Sequence, residues 1–244
     1  MKVRMYNVGF GDCFCLRDRK KSLLVDFGTN NSRIEGRPRR EIFDVIISDL
    51  STIKSKNLLL THFHMDHLSG LLYMMKKKDI SVDFGKIYLP DVFSKKEMSR
   101  TLVLLLLADL LKESGLPSRQ VSLFALVDAL LENKQNVELL SRGKLFENKY
   151  QALWPDTDVI RKETDEVYNR ICEDGKFKEV MDVLLEFAEK LRLIVWSMTA
   201  EGNKPAETVE KETDLTASEL TEQPEVRQKI IRAYVYEREF RRIK

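Results

Sequence analysis

The sequence predicts an α/β fold, and three observations carry that expectation. Short β-prone runs alternate with segments of helical periodicity from the N-terminus to about residue 156. One of those runs, residues 21–28, is apolar and ends in Asp26 and Gly28, the kind of strand end at which an open sheet exposes functional side chains. All three histidines of the chain, with one carboxylate among them, lie between a strand-like run and a helix start, in His62-Phe63-His64-Met65-Asp66-His67.

Residues 3–8 and 13–16 read as two strands joined by the turn Gly9-Phe10-Gly11-Asp12, a hairpin. Residues 21–28 supply a buried strand. Residues 30–40 are polar and basic, with Arg33, Arg37, Arg39 and Arg40 around Gly36 and Pro38. They are expected to form a mobile loop, either solvated or touching phosphate. Ile42, Phe43, Val45, Ile46, Ile47 and Leu50 fit a helix leading into the strand at residues 57–61. A further helix is expected over residues 68–78 and a strand over 85–90, stopped by Pro90. Residues 94–113 and 118–133 read as two helices, with Ser114-Gly115-Leu116-Pro117 as the break. The leucines at 102–107 cover more than one face, so burial within the fold is expected. Strand runs around a glycine turn at residues 136–154 close a half sandwich, after which residues 158–173 and 177–193 turn helical.

The expected organisation is therefore a main domain over residues 1–156, a helical extension over 157–198, an acidic linker over 199–224 and a basic segment over 225–244. The linker is rich in Thr, Ser, Glu and Pro and is expected to be disordered. The last segment interleaves Arg227, Lys229, Arg232 and Arg238 with Ile230, Ile231, Tyr234 and Phe240. That pattern suits an amphipathic helix with a solvated face, or a contact with nucleic acid.

Composition narrows the function classes. A formal net charge of +2 gives no bulk polycation, so nucleic-acid binding does not follow from total charge. Three cysteines in 244 residues make no disulfide framework, and a reducing cytoplasm fits them best. The most apolar run is far shorter than the roughly 20 residues a bilayer requires, so no membrane span is expected.

The histidine stretch carries the chemistry. Three histidines placed at random would adopt this spacing in roughly 240 of about 2.4 million arrangements, before Asp66 is required. Imidazoles and a carboxylate suit zinc, with manganese and iron accepted by the same donors. In an extended segment His62 and His64 point the same way, while Asp66 and His67 fall where the chain enters the helix and face a second point nearby. Two adjacent metal ions are thus expected. Asp91 and Asp156 follow strand ends and are the candidates for further ligands.

The pattern His62-Phe63-His64-Met65-Asp66-His67 resembles the His-x-His-x-Asp-His loop of the metallo-β-lactamase superfamily. Val8-Gly9-Phe10-Gly11-Asp12 resembles a signature of one branch, the hydrolase domain of bacterial DNA-uptake channel proteins of the ComEC type. Leu24-Val25-Asp26-Phe27-Gly28 is similar to the family's Asp-x-Gly strand end, whose acid braces the ligand loop; the resemblance gives Asp26, with Thr61, that supporting role. It implies an αββα sandwich, here incomplete in its second half and carrying helical insertions, since no histidine follows His67 and the expected later strands are replaced by helical sequence. It implies that His62 and His64 hold one ion and Asp66 and His67 another. Hydrolysis by a metal-held hydroxide, most plausibly of phosphodiester bonds, would follow, with Asp66 orienting the nucleophile. The alternative is a non-catalytic or half-domain protein, either degenerate or needing a partner chain to complete the site.

Overall fold

The computed structural model describes residues 1–18, 21–77, 83–112 and 122–200, and these divide into two compact units. The first comprises Met1–Pro90, Ala129–Leu140 and Met198–Ala200. It contains β1 (Lys2–Met5), β2 (Phe14–Asp18), β3 (Lys21–Val25), β4 (Arg33–Ile34), β5 (Arg37–Pro38), α1 (Arg39–Ser51), β6 (Ser55–Leu59), α2 (Met65–Met75), β7 (Ile87–Pro90) and β8 (Val137–Leu140).

Six of these strands form one sheet in the order β1-β2-β3-β6-β7-β8. The first two pairings are antiparallel, as short connections allow, and the remaining three are parallel. Parallel neighbours need a crossover, and α1 supplies it between β3 and β6, α2 between β6 and β7. Leu24, Leu58 and Ile87 sit on consecutive central strands and are fully buried. On α1, Ile42, Phe43, Ile46, Ile47 and Leu50 form the inward stripe, each fully buried aliphatic or aromatic side chain contributing about 1.5–3 kcal/mol. Val45 falls outside that stripe, at 59% exposure. Phe27 meets Phe43 edge to face with ring centroids 5.2 Å apart, which fixes α1 against the chain leaving β3.

Asp49, near the end of α1, ties that helix to the first hairpin. It accepts hydrogen bonds from the Tyr6 hydroxyl and from Arg17 at 2.9 Å, and pairs with Arg4 at 2.7 Å. Asp49→Ala removes all three contacts, and because the guanidinium groups are partly solvated we expect a loss of about 1–2 kcal/mol in urea unfolding. An unchanged midpoint would show that the cluster is ornamental.

Residues 30–40 differ from the mobile loop expected of them. Arg33–Ile34 and Arg37–Pro38 pair as a two-residue hairpin whose turn, Glu35-Gly36, has positive φ at both positions (48° and 79°). The Arg33 guanidinium donates to the Gly36 carbonyl at 2.7 Å, and Ile34 is only 4% exposed, so the loop is anchored by an apolar plug that its polar composition conceals.

The second unit holds a 3-10 turn (Lys96–Met98), α3 (Ser99–Lys112), β9 (Leu145–Phe146), β10 (Tyr150–Gln151), α5 (Thr157–Cys172) and α6 (Gly175–Ser197); α4 (Leu123–Glu132) spans the boundary between the units. Within it α3 packs on α5 and α6. Thr101 and Thr164 hydroxyls lie 2.9 Å apart, Arg100 pairs with Asp165 at 2.9 Å and covers the Tyr168 ring, and Ser99 bonds Glu189. Leu102, Val103 and Leu106 are buried as expected, alongside Val180, Met181, Leu184, Ala188 and Leu191 of α6. Among the described residues the later part of the chain is helical, and no sheet beyond the first has more than two strands.

Thr199, the first residue of the expected linker, is buried at 5% exposure and bridges Val137, so the chain stays packed to that point. The rest of the expected linker, the basic segment 225–244 and the break at Ser114-Gly115-Leu116-Pro117 lie outside the described residues. No helix among the described residues is long and apolar enough to cross a membrane.

Candidate metal centre

The centre is assembled from the ends of two neighbouring parallel strands. Val25 is opposite Leu59 in the β3–β6 register, and one residue later the Asp26 N–H donates to the Leu59 carbonyl at 2.8 Å. That register sets the Asp26 side chain beside the chain leaving β6. Oδ1 accepts from the Thr61 N–H at 2.8 Å, while Oδ2 accepts from the Thr61 hydroxyl at 2.7 Å and lies 2.9 Å from His67 Nδ1. Asp26 is 2% exposed and has a φ of 53°, a left-handed conformation that aspartate tolerates better than most residues.

Glycines let three backbone segments stack at this point. A Cβ on Gly28 would lie 2.6 Å from Leu68 N and 2.7 Å from the carbonyl carbons of Asp66 and His67. A Cβ on Gly11 would meet the Gly28 carbonyl oxygen at 2.3 Å and Asp66 O at 2.8 Å. The contact is closed by hydrogen bonds from Phe27 N to His67 O (2.7 Å), Asp12 N to Asp66 O (3.2 Å) and Gly28 N to Asp12 O (3.2 Å). The Ser69 hydroxyl accepts from Thr29 N and donates to Thr29 O, both at 2.9 Å. The turn after β1, the end of β3 and the start of α2 are therefore tied directly to one another.

Asp26 also sets which imidazole nitrogens face outward. His67 donates from Nδ1 to Asp26, which leaves Nε2 with its lone pair, 3.7 Å from Asp66 Oδ2. Because the Thr61 hydroxyl gives its hydrogen to Asp26, its oxygen is left to accept from His62 Nδ1 at 3.0 Å, and His62 takes the same tautomer. His62, Asp66 and His67 converge, their ligand atoms all within 4.8 Å of one another. Two donors each about 2.0–2.2 Å from one ion lie roughly 3–4 Å apart, so small side-chain rotations close this set on a cation. Asp66 occupies the first turn of α2, where the positive helix end favours a carboxylate.

Burial, with the positive charges of His67 and His64, lowers the His62 pKa and favours the neutral imidazole that a metal needs. For His67 burial acts downward, but the Asp26 hydrogen bond and the charges of Asp26, Asp66 and Asp12 outweigh it and raise the value. Its side chain is 12% exposed.

His64 caps α2, and its ring stands edge-on to His62 with centroids 4.8 Å apart; the His62 and His67 rings are closer, at 3.7 Å. The chain bends at Phe63, which is buried, so strand alternation does not govern where His62 and His64 point. Asp91 and Asp156 lie in the second unit and are engaged locally. Asp91 accepts from the Ser94 N–H at 3.1 Å and its hydroxyl at 2.7 Å. Asp156 caps α5 through the N–H groups of Asp158 and Val159 and pairs with Arg142 at 3.0 Å; the Val159 N–H and Arg142 hold its pKa down. Residues to which sequence reasoning gave no role are Asp12, whose Oδ2 is 3.6 Å from His67 Nδ1, and Ser69. The sequence signal for Asp12 is its place at the end of the Val8-Gly9-Phe10-Gly11-Asp12 motif.

Residues 6–91 match the family model of the metallo-β-lactamase superfamily, a stretch that runs from the first turn through β7 and contains every residue of the centre. The mixed α/β architecture, with a central sheet and six helices among the described residues, is consistent with a metallo-β-lactamase-like fold. Endoribonuclease YSH1 of Mycosarcoma maydis is 32% identical over 77 residues, covering 32% of this chain and 8% of that protein's length. No solved structure matches the chain significantly.

Proposed function

We propose that the protein is a metal-dependent hydrolase acting on the phosphodiester bonds of nucleic acid. The observation that carries this reading is the convergence of His62, Asp66 and His67 within 4.8 Å, with the outward nitrogens selected by the buried Asp26. The superfamily match and the likeness to an endoribonuclease support the hydrolase class and a nucleic-acid substrate, and the resemblance of Val8-Gly9-Phe10-Gly11-Asp12 to a signature of the DNA-uptake branch is in keeping with it. A divalent ion, zinc by donor type with manganese and iron as substitutes, would supply Lewis acidity toward a phosphoryl oxygen and acidify a water.

The chain's own residues do the remaining work. Asp26 holds both imidazoles in the tautomer that presents Nε2. Asp66, whose carboxylate is part of the converging set and 3.7 Å from His67 Nε2, accepts the proton of the attacking water and keeps its oxygen in line with phosphorus. The stacked backbones at Gly11 and Gly28 keep these groups from drifting as charge develops. The unlinked thiols Cys13, Cys15 and Cys172 suit a reducing, cytoplasmic setting.

A second reading is a half-domain that works only with a partner chain. It is favoured by one observation: no histidine follows His67, and both Asp91 and Asp156 are occupied with local hydrogen bonds. End-labelled ribo- and deoxyribo-oligonucleotides, a thioester and a β-lactam, each offered to zinc- or manganese-loaded protein, separate these readings. Oligonucleotide cleavage is expected, with Asp66→Asn at least about 100-fold slower at full metal loading. Cleavage of the lactam or thioester alone would refute the substrate class, and loaded protein without activity toward any of them would favour the half-domain.

A further inference from the structure

We infer that the first unit seats single-stranded nucleic acid on Phe10, which stacks against an unpaired base, and on the arginines of the β4–β5 hairpin, which hold neighbouring phosphates. This rests on the nucleic-acid reading above and narrows its substrate to strands with unstacked bases. Phe10 is 71% exposed, an aromatic ring standing in water at the tip of a turn. Its backbone is fixed on both sides. The Gly11 N–H donates to the Gly9 carbonyl across it at 3.1 Å, and the Phe10 N–H donates to Asn31 Oδ1 at 2.8 Å. The Phe10 carbonyl accepts from the Asn30 N–H at 2.8 Å and from the Thr29 hydroxyl at 3.2 Å. With the turn already ordered, a base landing on the ring has little backbone to immobilise.

The same turn joins the basic hairpin to the centre. A Cβ on Gly9 would meet Asn31 at 3.2 Å and Ile34 at 3.4 Å, and the Asn7 amide donates to Glu35 at 2.8 Å, so the hairpin lies directly against the turn. Arg33, Arg37, Arg39 and Arg40 are all exposed, in a stretch whose acids are Glu35 and Glu41. Arg33 is engaged with the Gly36 carbonyl, which makes Arg37, Arg39 and Arg40 the groups for phosphate, whose oxygens their guanidinium forks match. On the other side, Asp12 follows Phe10 by two residues, so the two Cα atoms are within about 7 Å of each other. Asp12 donates its N–H to the Asp66 carbonyl at 3.2 Å and sets Oδ2 3.6 Å from His67 Nδ1. A base held on Phe10 thus brings its adjoining phosphates beside the centre. In a duplex both faces of each base are covered by its neighbours, so the ring finds its partner in a single strand.

The test is fluorescence anisotropy on the full chain in the presence of chelator, so that binding is read apart from cleavage. The probes are labelled single-stranded ribo- and deoxyribo-oligonucleotides and a blunt duplex of the same sequence. A single strand is expected to bind at least about 10-fold more tightly than the duplex, and a preference between the two sugars names which nucleic acid occupies the surface. Phe10→Ala and Phe10→Leu should each weaken single-strand binding about 10-fold and leave duplex binding within about twofold, since leucine keeps the apolar bulk but has no π-face. Phe10→Trp should bind like the parent, with its indole fluorescence quenched as the strand lands. Arg37→Ala combined with Arg40→Ala should weaken every nucleic acid and lower the slope of log affinity against log salt by about 1–2. All four proteins should keep the parent's thermal midpoint, because the altered side chains are exposed. Parent-like single-strand affinity in Phe10→Ala or Phe10→Leu, or equal affinity of the parent for single strand and duplex, would overturn the inference. Oligonucleotide cleavage by metal-loaded protein that Phe10→Ala does not change would remove this surface and leave the hydrolase reading intact; Phe10-dependent strand binding without cleavage at any metal loading would do the reverse.

Discussion

Asp26→Ala is expected to weaken metal binding by about 10–100-fold although Asp26 touches no metal in this account. The substitution strips the acceptor from the Thr61 N–H, the Thr61 hydroxyl and His67 Nδ1, so both outward-facing imidazoles lose the bond that fixes their tautomer. It also takes the acceptor from the Thr61 N–H and places alanine at a φ of 53°, so we expect a stability loss of about 2–3 kcal/mol. Asp26→Asn separates the two effects. Its amide can still face Thr61 with an oxygen, but an NH2 group toward His67 Nδ1 forces the hydrogen to Nε2, where the metal should bind. Metal affinity should therefore fall nearly as far as in the alanine variant, with a clearly smaller change in the urea midpoint. Equal affinities in parent and Asp26→Asn would mean that tautomer control is not how Asp26 acts.

Gly28→Ala should disturb the site through a single added methyl group. The added carbon would sit 2.6–2.7 Å from backbone atoms of Leu68, Asp66 and His67, none of which can rotate away as a side-chain tip can. Either β3 or the start of α2 must shift, at a cost of about 3 kcal/mol, and the shift falls on two of the three proposed ligands. Gly36 provides the control, since its φ is 79° but nothing lies within 4 Å of its added Cβ. Gly36→Ala should cost about 1–2 kcal/mol of backbone strain and leave metal binding untouched. Differential scanning calorimetry with and without zinc distinguishes the pair. A Gly28→Ala protein that binds zinc like the parent would show that the stacked backbones do not position the site.

What was legible in the sequence was what local patterns encode. The β-α alternation to β7 was readable because each element carries its own periodicity, and α1 shows this even with Val45 pointing outward. The histidine loop was readable because its donors are neighbours in the chain. Asp26 was recognised as a brace through resemblance, whereas its bonds follow from the β3–β6 register. The Asp12–His67 contact and the approaches at Gly11 and Gly28 join segments far apart in sequence, so the local motifs that contain these residues do not give their geometry.

Asp91 and Asp156 show the opposite difficulty. A strand-end carboxylate fits a ligand or a cap equally well, and the cap signals were present: Ser94 three residues after Asp91, and a helix opening directly after Asp156. The hairpin at residues 33–38 was missed because Glu35-Gly36 is not among the strongest turn pairs and its one apolar anchor, Ile34, is surrounded by arginines.

The central proposal, that the chain cleaves phosphodiester bonds with a metal that the residues at the start of α2 would hold, is tested most directly by measuring bound metal and oligonucleotide cleavage on the same samples across a graded series of chelator treatments. The account predicts that the cleavage rate falls in proportion to metal occupancy and returns when zinc or manganese is restored. Cleavage that persists in metal-free protein, or fully loaded protein that cleaves no oligonucleotide, would contradict it.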